Sequence, residues 1–238
     1  MESTKLIDIF GITVGFNTLI SMISTLVIVF ILCIFFTRNL KVENPGRSQT
    51  IFEYLISFIR GIVEESFGNQ IEPIYIVLSL TLFLFIFVAN IIGLPFLVEA
   101  HELSYWKSPT ADPVVCIALA LTMNFISHIL AVKKFGFGGY IKQNYCTPNV
   151  AVFPVKLADE IISIATLSLR LFGNVFAGEI LLGLIAQLGN SLGLATWLAG
   201  IPLQIVWQGF SLFIGALQAY IFVTLSMVYL SHKVVTNH

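Results

Sequence analysis

Charged residues are scarce in this chain of 238 residues. Lys, Arg, Asp and Glu make up 11% of it and hydrophobic residues 57%, whereas soluble domains carry about 25% charged residues. This composition excludes an ordinary soluble domain and indicates a polytopic membrane protein. The formal net charge is −1, so the chain lacks the basic surplus that attracts nucleic acid.

Cysteine is also rare, and the common cofactor motifs are missing. The three cysteines include no C-x-x-C pair, so we expect neither a disulfide framework nor a cysteine metal site. The glycine-rich stretch at 136–139 is a turn rather than a phosphate cradle, because no P-loop lysine accompanies it. A single histidine between two glutamates in the loop at 99–102 is too weak a set for a metal. The sequence therefore predicts no cofactor, no metal and no nucleotide bound directly.

Long apolar segments are what the chain does have. Five are long enough to cross a membrane, since about 20 apolar residues span its hydrocarbon core. They are residues 17–36, 74–98, 114–132, 157–188 and 203–230. Residues 48–67 form an amphipathic helix, too charged to span, which should lie at the interface or against another subunit. Residues 133–153 and 189–202 are predicted loops.

These segments predict an all-α polytopic membrane protein with a single membrane domain over residues 1–238. It would have five transmembrane helices plus the amphipathic interfacial helix. The last two spans are joined by a short uncharged loop and are longer than a perpendicular crossing requires. They should therefore form a long, tilted antiparallel hairpin.

Basic residues are distributed unevenly between the two sides of the membrane. Nine fall on the side of the C-terminus and two on the other, and the side rich in lysine and arginine is the cytoplasmic one. We therefore expect the N-terminus outside and the C-terminus in the cytoplasm. The nine are Arg38, Lys41, Arg47, Arg60, Lys133, Lys134, Lys142, Lys156 and Lys233, and the two are Lys5 and Lys107.

Arg170 stands near the middle of the fourth span. An arginine at bilayer depth costs roughly 2.5–3.5 kcal/mol, and it stays protonated, so it is a fixed cation and not a proton carrier. On a helical wheel it shares a face with Asp159, Ser163 and Asn174, and small residues flank it, which allows another helix to approach closely. No acid lies at its depth on that face. Its counter-charge is therefore predicted to be a carboxylate on a partner subunit.

Polar groups lead from Arg170 toward both water phases. Asp159 and Glu160 lie roughly 15 Å to the inner side and Glu179 roughly 14 Å to the outer side, at 1.5 Å per residue. Asp112 and a polar seam on the fifth span can wet an outer path to mid-membrane, while Asp159 and Glu160 mark an inner path. The seam consists of Gln204, Gln208, Ser211, Gly215 and Gln218.

Residues 168–179, SLRLFGNVFAGE, resemble the signature of subunit a of bacterial F-type ATP synthases. The stretch LQAYIF at 217–222, YLS at 229–231 and PTAD at 109–112 are similar to other parts of that family, and the resemblance covers most of the chain beyond about residue 73. It implies a proton-channel stator with two offset half-channels. Arg170 would drive deprotonation of a carboxylate on the ring of subunit c, and Asn174, Glu179, Gln218 and Asp112 would belong to the outer half-channel.

The resemblance also implies partners and a location. Expected partners are the subunit c ring, the peripheral-stalk subunit b and membrane lipid, with no nucleic acid. The chain would be a multi-pass protein of the bacterial plasma membrane that is not an enzyme on its own but couples proton translocation to ATP synthesis or hydrolysis by the complex. Some relatives carry a histidine where Ser211 stands and an asparagine where Val114 stands. Here the outer path would rely more on Glu179 and water.

Other interpretations stay open at this point. Arg170 could bind the anionic substrate of a self-contained transporter, although the chain shows no inverted repeats. A membrane-embedded hydrolase would need a Ser/His/Asp or metal set that the spans lack. Asp112 could simply cap a helix, and His128 fits a packed or interfacial histidine. Proton and sodium coupling are not distinguished by the sequence.

Overall fold

Six α-helices account for most of the chain in the computed structural model. The structure describes residues 6–9, 12–38, 41, 46–68, 70–93, 99–100, 103–104, 108–145, 153–191 and 194–235. In chain order the helices are α1 (Phe16–Thr37), α2 (Arg47–Phe67), α3 (Pro73–Gly93), α4 (Pro113–Tyr145), α5 (Phe153–Ser191) and α6 (Leu194–Val234). Short antiparallel hairpins precede α1 (β1 Leu6–Ile9, β2 Ile12–Gly15) and follow α3 (β3 Glu99–Ala100, β4 Leu103–Ser104). The predicted all-α fold is confirmed.

Five of these helices are long and apolar enough to cross a membrane: α1, α3, α4, α5 and α6. Large hydrophobic side chains cover their outward surfaces, among them Phe30 on α1, Phe125 on α4 and Ile162 on α5. Such a surface suits hydrocarbon and not water. The chain is therefore a multi-pass membrane protein. α3 ends at Gly93, and residues 94–98 of the predicted second span lie outside the described residues.

α5 and α6 form the predicted antiparallel hairpin. Glu160 contacts Lys233 near one end of the pair, and Trp207 Nε1 donates a hydrogen bond to the Gly178 carbonyl (3.4 Å) further along. The helices have 39 and 41 residues, so each is about 60 Å long at 1.5 Å per residue. Because the hydrocarbon core is only about 30 Å thick, helices of this length cross it at a tilt.

The connection inside this hairpin is shorter than predicted. Residues 189–202 are not a loop, because α5 runs to Ser191 and α6 starts at Leu194, with Pro202 inside the helix. A proline removes one backbone donor from a helix. Membrane helices tolerate this where neighbouring groups satisfy the freed carbonyl. The proline therefore did not mark a helix end here.

α4 also extends beyond its prediction. The expected loop from residue 133 is wrong, because α4 continues to Tyr145 with a break at Gly136 (φ 72°, ψ 163°). Such backbone angles are essentially restricted to glycine. The break folds the segment back, since the Tyr140 hydroxyl contacts His128 Nδ1, whereas in a straight helix residues twelve apart are about 18 Å apart.

α2 is the predicted amphipathic helix. Ile59 and Val63 are fully buried, and the helix packs against α3 and α6. Arg60 and Glu64 form an exposed ion pair (2.8 Å) on the opposite face. Ile51 on the same helix is exposed, so the apolar surface of α2 is wider than its contact with the rest of the chain.

The break in α4 gives a first prediction. Gly136→Ala forces a methyl group onto a glycine-only conformation and should destabilise the protein by about 1–3 kcal/mol. The measurement is the thermal stability of the purified protein in detergent. Gly138→Ala is the matched control, because its added Cβ meets no atom within 4 Å and its φ is not positive. Equal stability of the two variants would contradict the account.

Candidate functional site

Arg170 lies exposed on the outward face of α5. Its neighbours on that surface are apolar: Leu169 is 66% exposed, and Phe176 and Ile180 are also exposed. Within the part of the chain that the structure describes, Arg170 makes no ion pair and no hydrogen bond. A permanent cation therefore projects from an apolar surface without a counter-charge from its own described residues.

A polar cavity of about 220 Å³ lies on one side of Arg170. It runs along α5 from Lys156 past Asp159 and Glu160 to Leu167, and α4 and the end of α6 form its other walls. Leu167 is three residues, or about 4.5 Å of helix rise, from Arg170. We call this space the inner cavity, and it contains both predicted inner carboxylates.

A cluster of charged and polar groups occupies one wall of the inner cavity. Lys233 Nζ lies 3.0 Å from Glu160 Oε1 and 3.1 Å from His128 Nε2, and it donates a hydrogen bond of 2.5 Å to Asn124 Oδ1. The Lys233 and Glu160 side chains are only 12% and 19% exposed. Buried charges need partners of this kind. His128, taken from the sequence as a packed histidine, therefore belongs to a cluster that joins α4, α5 and α6.

A second cavity, of about 90 Å³, lies on the other side of Arg170, with a mainly apolar lining that includes a few polar side chains. Asn174 and Gly178 on α5, Ser211 on α6 and Asn90 on α3 line it. Ser211 is 9% exposed, and its Oγ has no hydrogen-bond partner among the described residues. A buried polar wall of this kind suits ordered water. We call this space the outer cavity.

Asn90 joins α3 to α6 and to the turn before α4, beside the outer cavity. The sequence alone did not indicate this role. Its Nδ2 donates to the Gly215 carbonyl on α6 (3.0 Å), and its Oδ1 accepts from Thr110 Oγ1 (2.9 Å). Thr110 is in turn bonded to Ser108 (2.8 Å) in the turn before α4. A Cβ on Gly215 would lie 3.1 Å from the Asn90 Cβ, so the glycine allows the close approach.

An apolar layer separates the two cavities. Leu171, Ala219 and Phe222 are each 0% exposed and lie between the cavity walls of α5 and α6. From Leu167 to Asn174 the layer is about 10 Å thick. Arg170 is at the same level along α5 as this layer, but its side chain lies on the exposed surface of the hairpin and not between the two helices. Among the described residues the two cavities therefore share no lining residue, and this layer lies between them.

The remaining residues that were predicted to lie on the proton path have different surroundings in the structure. Gln218 lies at the level of the apolar layer, 5% exposed, with no hydrogen-bond partner for Nε2. Glu179 and Gln208 are half-buried on the hairpin and line neither cavity. Asp112 caps α4: its Oδ1 accepts from the Val114 backbone N–H (2.9 Å), and its Oδ2 accepts from Thr18 Oγ1 (3.3 Å).

Asn90, Lys233 and His128 were not predicted as site residues, because the sequence around each gives little indication of its role. Asn90 was visible only as one polar residue at the end of a span. Lys233 and His128 are 73 and 32 residues away from Glu160 in the sequence. A buried polar residue in a membrane span does, however, require a partner. That rule applied to Asn90, Asn124 and His128 could have singled them out, although not their partners.

The fold and the site define a polytopic membrane protein with cavities that contain polar side chains on both sides of an exposed cation. The family described as ATP synthase A chain matches residues 18–231. The chain is 45% identical to ATP synthase subunit a of Enterococcus faecalis over 239 residues, covering 100% of both chains. It is 49% identical to ATP synthase subunit a of Enterococcus hirae, over 88% of each chain. The chain belongs to the ATP synthase A chain family.

The separation of the cavities gives a second prediction. In a chain whose native cysteines are replaced, Ser163→Cys should react with a membrane-impermeant thiol reagent added on one side of the membrane. Ser211→Cys should react with reagent added on the opposite side. Leu171→Cys, in the apolar layer, is the control and should react from neither side. Labelling of both cavity positions from the same side would contradict the described arrangement.

Proposed function

We propose that this chain is the proton-channel stator of a rotary F-type ATP synthase and works against a ring of subunit c. The chain would bind no nucleotide and carry out no chemistry on ATP. Its task is to lead protons to and from the ring by separate routes. The position of Arg170 between two separated polar cavities is the observation that carries this proposal.

In this mechanism Arg170 faces the carboxylate of each passing ring subunit. An ionised carboxylate is attracted to the fixed cation, whereas a protonated one is not, so an approaching acid gives up its proton to the inner side before it pairs. After passing Arg170 the carboxylate takes a proton from the outer side and becomes neutral. A neutral acid enters lipid at a much lower cost than a charged one, so the ring turns in one direction when protons flow inward.

The outer route would use the outer cavity and the polar residues around it. Asn174 and Ser211 line the cavity, and Glu179 follows Gly178 on the same helix, so it can exchange protons with water in this region. Gln218, whose buried Nε2 has no hydrogen-bond partner among the described residues, would bind water at the level of Arg170. Gln208 and Asp112 stand further from the cavity, and we assign them to the outer approach.

The inner route would use the inner cavity with Asp159 and Glu160. The side of this cavity carries the excess of basic residues, which supports assigning it to the cytoplasm and the N-terminus to the outside. We assign the chain to the bacterial plasma membrane. Peripheral-stalk subunit b and lipid would cover apolar helix surfaces that the ring does not.

A transporter that binds an anion at Arg170 is supported less well. A substrate site would be concave and would enclose its ligand. Arg170 lines neither cavity and projects from the exposed apolar face of the hairpin. That setting favours a protein partner at the arginine.

Arg170→Ala gives the third prediction. In inverted membrane vesicles, ATP-driven acidification should fall to background, because no charge remains to force the ring acid to release its proton. Arg60→Ala, on the exposed face of α2, is the control and should pump normally. Undiminished pumping by an assembled Arg170→Ala complex would refute the proposed function.

Glu179→Gln gives the fourth prediction. Loss of a titratable group from the outer route should slow proton passage by roughly tenfold or more, with normal amounts of assembled complex. The measurement is the pumping rate per complex, compared with Glu65→Gln on the exposed face of α2. An unchanged rate would remove Glu179 from the path.

A further inference from the structure

The two neighbouring acids of the inner cavity have different surroundings. Glu160 is part of the charged cluster between the helices, 3.0 Å from Lys233 Nζ and 3.4 Å from His128 Nε2. Asp159 lines the same cavity but is exposed. None of the ion pairs between described residues involves the Asp159 carboxylate.

Helix geometry explains the difference. Asp159 is eleven residues before Arg170, so at 100° per residue the two side chains point within about 20° of the same direction. Glu160 is ten residues before Arg170 and is turned about 80° away from that direction. Asp159 therefore lies on the outward face of the hairpin that carries Arg170, while Glu160 points toward α4 and α6.

The contacts of Glu160 make it a poor proton carrier. A carboxylate held by a buried ammonium group is stabilised as the anion. Protonating it would leave Lys233 charged and without its counter-ion, which is strongly unfavourable in a buried site. Lys233 is itself held by Asn124 and, through its backbone carbonyl, by Asn144 Nδ2 (3.2 Å). The pair is thus fixed from several sides.

We propose that Asp159 is the residue that exchanges protons with the inner water, and that Glu160 and Lys233 are positioning residues that hold the inner end of the hairpin together. This assignment rests on the proposed function. It gives the two adjacent acids different roles, although the sequence alone does not distinguish them. A proton leaving a ring carboxylate crosses the inner cavity by way of water to the Asp159 carboxylate at its edge, and passes from there to the bulk water. Glu160 remains paired with Lys233.

The test uses variants of the full chain in the assembled complex, with the amount of complex and the pumping rate per complex measured separately in inverted vesicles. Asp159→Asn should leave assembly intact, because the side chain is exposed, and slow pumping by roughly tenfold or more. Asp159→Glu, which keeps the titratable group, should restore most of the rate. Glu160→Gln should instead lower the amount of assembled complex, and adding Lys233→Gln should restore that amount by removing the uncompensated charge.

Two results would overturn the assignment. One is a normal pumping rate with Asp159→Asn. The other is a Glu160→Gln/Lys233→Gln complex that assembles fully but pumps as slowly as Asp159→Asn. Arg170→Ala in the same vesicles separates this inference from the proposed function. If Arg170→Ala is inactive while Asp159→Asn pumps normally, only the assignment of Asp159 fails.

Discussion

A permanent cation at membrane depth is the constraint on which the rest of this structure depends. Arg170 cannot lose its proton, and it projects from an apolar helix face. Such a charge is stable in a membrane only with water or a counter-charge beside it. The described residues of this chain supply no counter-charge. Under the proposed function, the hairpin of α5 and α6 is half of an interface, and the ring carboxylate supplies the counter-charge.

The interior of the hairpin separates the two cavities at the level of this charge. Leu171 and Phe222 are fully buried between the levels of the two cavities, and each cavity ends about one helical turn from Arg170. Beside the outer cavity, α3 and α6 are in close contact where Asn90 Nδ2 donates a hydrogen bond to the Gly215 carbonyl. Under the proposed function, two half-paths separated by this layer would let protons cross only on a moving carrier.

The sequence predicted this organisation where the physics is local. The spans follow from apolar length, and the outward direction of Arg170 follows from its helical wheel. What could not be predicted arises from contacts between distant segments. Lys233 meets Glu160 only because α6 runs back along α5, and Tyr140 reaches His128 only because Gly136 breaks α4. Asp112 shows another limit of prediction from sequence. Its carboxylate caps a helix, and the sequence does not tell whether a carboxylate at this position caps a helix, lies near a channel mouth, or does both.

The most direct test is a high-resolution structure of this chain assembled with its ring. The account predicts that the Arg170 guanidinium lies within about 4 Å of an ionised ring carboxylate in at least one rotational state, the distance of an ion pair. The inner and outer cavities should open on neighbouring ring subunits to either side of that pair. An arginine paired with an acid of its own chain, or facing lipid in every rotational state, would contradict the central claim.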